Sequence, residues 1–139
     1  MGGLLALGWR ARVGSLIHLD THVVIWTASK LTTRLSPAVR RLFERDTLQI
    51  SPVVAMELET LFEARKLGSE PEHLLSILER EHALTRSEAR FDTVIGAART
   101  FAWTRDPFDR LIVANAMADG VRLVTADETI LTNFKDAVW

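Results

Sequence analysis

The chain of 139 residues has no cysteine. A disulfide framework and any thiolate metal site are therefore excluded, and a bound metal must be held by oxygen or histidine. The absence is compatible with a reducing cytoplasm. An excess of one charge is lacking too. Lys and Arg total 17 and Asp and Glu total 18, a formal net charge of −1. That excludes a strongly basic protein that coats nucleic acid, but not a local basic patch. No apolar run approaches the roughly 20 residues needed to span a bilayer, so no membrane partner is expected. Internal repeats, low-complexity tracts and histidine-rich zinc spacings are absent.

What is present suits one domain with an ordinary core: 47% hydrophobic and 25% charged residues. "MGGLLALGWRARVGS", residues 1–15, is poorly patterned. Its apolar stretch is too short for a secretory leader, and its arginines follow that stretch rather than precede it. It reads as an extension, with the domain over residues 16–139.

"LIHLD" reads as a short strand ending in an acid, and "THVVIWTA" as either its continuation or a short helix. Ser36 and Pro37 give a cap and a first helical position, opening a helix over 37–45. "TLQIS" alternates like a strand. Pro52 opens a helix to about Lys66, stopped by Gly68, and another runs from Pro71 to Glu81. "HALT" reads as a third strand, and Ser87 as the cap of a helix to about Phe101. Asp106-Pro107 repeats the cap-plus-proline signal for a helix ending at Asp119, before Gly120. "VRLVT" is a fourth strand and "DAVW" a short fifth. Strands alternating with helices predict an α/β fold: a three-layer α/β/α sandwich around a mostly parallel sheet of four or five short strands.

Four acids stand out in this frame. Asp20 ends the first strand, and Asp127 lies two residues beyond Thr125, at the end of the fourth. Taken singly, each reads as a turn or capping residue. Glu57 shares an apolar helical stripe with Val53, Val54 and Leu61, whereas Glu59 lines up with Glu63 and Lys66 on a solvated face. Glu57 either reaches water at the stripe's edge or needs a partner or a cation. Asp106 is a helix cap. Asp109 either closes a capping box with it or, on the face of Ile112, Val113 and Ala116, opens onto the strand ends. In open α/β sheets, sites form at the carboxyl ends of strands near a topological switch point. Four carboxylates meeting there would repel or retain protons. Mg²⁺ or Mn²⁺ bound through oxygen relieves that.

At these residues the chain resembles PIN-domain ribonucleases, and more narrowly VapC-type toxins of type II toxin–antitoxin systems. The matching pieces are "LDTHVVIW", "ISPVVAMELETL", "TRDPFDRLIVANA" and "RLVTADETI". They span residue 16 to about residue 134; residues 1–15 depart from the pattern, since such proteins begin close to the first strand. The resemblance implies a PIN-like fold and a cytoplasmic, metal-dependent endoribonuclease that hydrolyses RNA phosphodiester bonds with one or two Mg²⁺ or Mn²⁺ ions. Asp20, Glu57, Asp109 and Asp127 become its catalytic and metal-binding acids. A homodimer is implied, inhibited by a VapB-type antitoxin that presses a basic or helical segment into the acidic groove. Asp106 is at most a supporting group. Thr21 and Thr125 flank the acids as candidates for holding a ligand carboxylate or a phosphate, or are ordinary turn and strand threonines. Arg110 is a candidate phosphate contact or a surface salt bridge.

Competing assignments are a PIN-like DNA or flap nuclease and a non-catalytic RNA- or partner-binding module. The short chain without a DNA-binding appendage disfavours the first, and the full set of acids the second. A receiver domain lacks its buried late lysine here, and a dehalogenase-like phosphatase lacks Asp-x-Asp, since Thr21 and His22 follow Asp20. Trp26 and Trp103 are candidates for base stacking or core packing. Arg40, Arg41 and Arg45 form either a solvated helix face or part of an RNA track.

Overall fold

The computed structural model describes residues 15–139. The extension expected over residues 1–15 thus falls, Ser15 aside, outside the described residues. The elements in chain order are β1 (Leu16–Leu19), α1 (Thr21–Ala28), a 3-10 turn (Thr32–Arg34), α2 (Pro37–Arg45), β2 (Thr47–Ile50), α3 (Pro52–Glu63), α4 (Pro71–His82), β3 (Thr85–Arg86), α5 (Phe91–Ala98), α6 (Pro107–Asp119), β4 (Arg122–Val124), α7 (Glu128–Asn133) and β5 (Ala137–Val138). The five strands form one sheet in the order β3-β2-β1-β4-β5, parallel throughout. Flanked by the helices, the sheet makes the expected three-layer α/β/α sandwich.

Ile17 pairs with Leu48 on one side and Arg122 on the other, so β1 is central. Ile17, His18 and Leu19 are all buried, as expected of a parallel strand covered on both faces. Val23, Val24, Val54, Leu58, Leu75, Leu78 and Ile112 close over the sheet. The strand order reverses between β1 and β4: the chain builds outward through β2 and β3, then crosses back. That switch point lies directly beneath Asp20 and the β4–α7 turn.

The departures from expectation have local causes. Residues 21–28 are helix, because Asp20 caps them through the Thr21 amide (2.8 Å) and turns the chain off the sheet. α3 stops at Glu63, well before Gly68: Arg65 takes the left-handed conformation (φ 60°), and Lys66 N–H bonds back to Leu61 C=O. Arg65 does what a glycine usually does there. α4 ends the same way at Ala83, φ 52°. That turn delays the third strand from the expected 82–85 to Thr85–Arg86. Ser87 does not cap α5, which begins at Phe91; its hydroxyl donates to Asp119 Oδ2 (2.6 Å) and accepts from Asn115 (2.9 Å). A buried polar network has claimed the hydroxyl. α6 behaves as read, with Asp106 accepting from the amides of Phe108 and Asp109 and with Gly120 at φ 65°.

Candidate metal centre

Asp20 follows β1, and its carboxylate is pinned at both oxygens. Oδ1 accepts from the Thr21 amide (2.8 Å), and Oδ2 accepts from the Thr125 hydroxyl (2.6 Å). Thr125 in turn accepts the Asp127 amide (3.0 Å), which aims the hydroxyl proton at Asp20. The Thr21 hydroxyl donates to Glu57 Oε1 at 2.5 Å. The two threonines therefore hold carboxylates in place. Asp109 sits in the first turn of α6, behind the Asp106 cap. One carboxylate oxygen from each of Asp20, Glu57 and Asp109 lies within 4.8 Å of the others.

A cavity of about 380 Å³ opens over these three, walled also by Asp106, Asp127, His22 and Trp26. Asp127 lines it but stands outside the tight set, because its Oδ1 accepts the Ile130 amide (2.9 Å) as cap of α7. Asp106 is engaged likewise on α6, so its part in the pocket is charge. The capping box weighed for Asp109 does not form: the Asp106 amide bonds the Thr104 hydroxyl (3.3 Å) instead. Arg110 points elsewhere. Its guanidinium donates to the carbonyls of Ala98 (2.9 Å) and Phe101 (2.6 Å), tying α6 to the end of α5. Among the described residues it forms these carbonyl contacts rather than the surface salt bridge weighed for it. Trp103 stacks on Phe101 at 5.1 Å, away from the acids.

His22 and Trp26 also line the pocket; the sequence left Trp26 open between base stacking and core packing. Four residues apart, they share a face of α1. That signal appears only once 21–28 is recognised as helix.

Electrostatically the pocket is strained. Burial raises Asp20, against the lowering effect of its two hydrogen bonds. Burial also raises Glu57, with Asp20 and Asp106 adding to the rise. Asp109 is pushed up to about 7, first by burial, then by Asp20, Asp106, Asp127 and Glu57. Three converging oxygen donors, one retaining a proton near neutrality, form a set that suits a hard divalent cation; Mg²⁺ and Mn²⁺ fit its all-oxygen chemistry.

Comparison with known proteins agrees with this geometry. The PIN domain family model matches residues 17–135. Ribonuclease VapC22 of Mycobacterium tuberculosis is 32% identical over 117 residues, covering 82% of this chain and 88% of that protein. Among solved structures, a chain of VapBC2 from Rickettsia felis, bound to a DNA fragment from their promoter, superposes with a TM-score of 0.62. It is 20% identical and covers 84% of this chain and 92% of that one. A chain of DNA-bound VapBC from Salmonella typhimurium gives 0.58, at 19% identity over 89% and 96%. By sequence over most of its length, and by fold, this chain belongs to the PIN domain family.

Proposed function

We propose that residues 16–139 form a toxin-type endoribonuclease that hydrolyses RNA phosphodiester bonds at a Mg²⁺ or Mn²⁺ site. The observation that carries this reading is the convergence of Asp20, Glu57 and Asp109 within 4.8 Å at the sheet's switch point. The similarity to Ribonuclease VapC22 supports the substrate class. Asp20, Glu57 and Asp109 would hold the ion directly, and Asp127 from the pocket wall. When bound, the ion would polarise the scissile phosphate and acidify a water to supply the nucleophile.

The chain's own part is positional. Thr125 and the Thr21 amide fix both oxygens of Asp20, which leaves lone pairs facing the cavity. Thr21 fixes one oxygen of Glu57, and the other remains to orient the attacking water. Asp109, whose carboxyl is pushed up to about 7, would have to give up its proton to serve as a ligand.

The VapBC neighbours support a VapB-type antitoxin as partner, and the homodimer remains what the resemblance to VapC-type toxins implies. An acidic pocket favours a basic antitoxin segment. No helix among the described residues is long and apolar enough to cross a membrane, which fits the cytoplasmic toxin we infer.

Matched RNA and DNA strands incubated with Mg²⁺ or Mn²⁺ test the reading. RNA cleavage that disappears in Asp20→Asn is expected. Preferential DNA cleavage would make it a DNA nuclease, and metal-dependent binding without cleavage a binding module.

A further inference from the structure

An acid pocket repels the backbone it must bring to the ion, and the net charge of −1 offers no general attraction. Affinity for RNA has to come from a surface continuous with the pocket. One such surface exists. Trp26, in the pocket wall, meets Trp139 edge-on at 5.8 Å between ring centroids. Trp139 in turn borders a groove of about 400 Å³ between α2 and β5, floored by Ala38, Leu42 and Val138. Its remaining lining is Arg41, Arg45 and Arg122. The guanidinium of Arg34 lies over Trp26, 5.6 Å from the ring centre. The aromatic contact thus joins a residue lining the acid pocket to one lining the arginine groove.

We infer that this groove is a track for single-stranded RNA leading out of the acid pocket, with Trp139 as the stacking platform and the three arginines as phosphate contacts. The inference rests on the nuclease reading and deepens it. α2, nine residues long, gives the track a length of about 13 Å. Arg41 and Arg45 are one turn apart on that helix and share its face. Asp46, whose side chain is buried, holds Arg45 Nε at 3.1 Å and Arg122 Nη2 at 3.2 Å. Two guanidinium groups on one carboxylate remain net positive. Each has five N–H donors, so most are left for phosphate oxygens. Arg41 forms no ion pair among the described residues. Arg40, the next residue, lines a different cavity with Phe43, Glu44 and His82. The structure therefore divides the basic cluster of α2, and only Arg41 and Arg45 belong to the track. An aromatic ring among cations is what sequence-tolerant single-strand binding requires.

The test is fluorescence anisotropy of a short labelled single-stranded RNA at low salt with EDTA present, where cleavage cannot intervene. Arg41→Ala should weaken binding and lower the slope of log K against log salt by about 0.7, one phosphate contact. Trp139→Ala should weaken it about 5-fold or more. Arg40→Ala, with the same charge change on the same helix, should bind like wild type. If Arg40→Ala and Arg41→Ala lose equally, or wild type does not bind, the track is overturned. Trp139 also packs against the core, so should Trp139→Ala fail to fold, the Arg41/Arg40 contrast decides. With Mn²⁺, Arg41→Ala should raise KM for the long strand and leave kcat unchanged. Wild type that binds RNA in EDTA through Arg41, yet never cleaves it with metal, would sink the nuclease reading and leave the track standing.

Discussion

Replacing Asp109 by asparagine should stabilise the metal-free protein, which is the reverse of what losing a half-buried polar side chain normally does. The carboxyl is pushed from its usual 3.8 to about 7 by burial and by four other acids. At 1.36 kcal/mol per pH unit this is about 4 kcal/mol against the folded state at pH 8. Asp109 is only partly buried, so solvent screening reduces that to about 1–2 kcal/mol. Asparagine forgoes a helix N-terminus attraction of about 0.3–1 kcal/mol. The net gain is about 1 kcal/mol, or roughly 3–5 °C in Tm for a chain of this size.

The sign with pH follows from the direction of the shift. A carboxyl raised in the folded state costs stability above its folded pKa and is relieved as pH falls through about 7 towards 4. The advantage of Asp109→Asn should therefore shrink by more than half between pH 8 and pH 5. Buried His18 works in the opposite direction. Burial lowers its pKa, so wild type loses stability as pH falls below 6.5. The asparagine variant shares that loss, and the difference between the two proteins cancels it. Thermal unfolding in EDTA across this range is the assay. With saturating Mn²⁺ the order should invert, because ligand at 100 times its Kd adds about 2.7 kcal/mol to wild type alone. A variant less stable than wild type in EDTA at pH 8, or a gap that does not narrow at pH 5, would refute the like-charge account of the pocket.

Thr125→Val removes the hydroxyl from Asp20 and orphans the Asp127 amide; Mn²⁺ affinity by calorimetry should fall about 10- to 100-fold. Arg110→Ala frees two carbonyls at the end of α5 and should cost about 1–3 kcal/mol in urea unfolding, with Mn²⁺ affinity unchanged. A loss of Mn²⁺ binding there would restore Arg110 to the site. Ala83→Gly relieves a left-handed residue (φ 52°) and should raise stability by about 0.5–1 kcal/mol; destabilisation would mean the glycine's backbone entropy outweighs the relief.

Much of this architecture was legible because its signals are local. Cap-plus-proline pairs at Ser36 and Asp106 mark helix starts through side-chain chemistry within three residues, and both hold; Pro52 marked a third start, whose cap is Ser51. The left-handed turns at Arg65 and Ala83 carry no such signal, because nothing in either side chain asks for a positive φ. Ser87 misled for a related reason. A serine before a helical pattern looks like a cap, and only the fold reveals that Asp119 and Asn115 compete for its hydroxyl. At the site, Asp20, Glu57 and Asp109 could be brought together on paper through the rule about strand ends. Asp127's smaller share could not, because α7 was not foreseen as a separate helix whose Ile130 amide would take one of its oxygens.

Helix capping and membership of the acid cluster coexist in Asp20, whereas in Asp127 the cap takes one oxygen and leaves it outside the tight set. Asp20 caps α1, Asp106 caps α6 and Asp127 caps α7, so three helix N-termini converge on one pocket. Each brings partly positive amides to where the acids crowd. Those amides offset part of the repulsion among the acids. The compensation is unequal. Asp20 has the Thr21 amide and the Thr125 hydroxyl, and Asp127 has the Ile130 amide. Burial and its acidic neighbours act on Asp109 in one direction, with no hydrogen bond opposing them, and push it up to about 7. The fold thus leaves one acid undercompensated, at the mouth of α6, and the metal site proposed above lies where the backbone dipoles fall short.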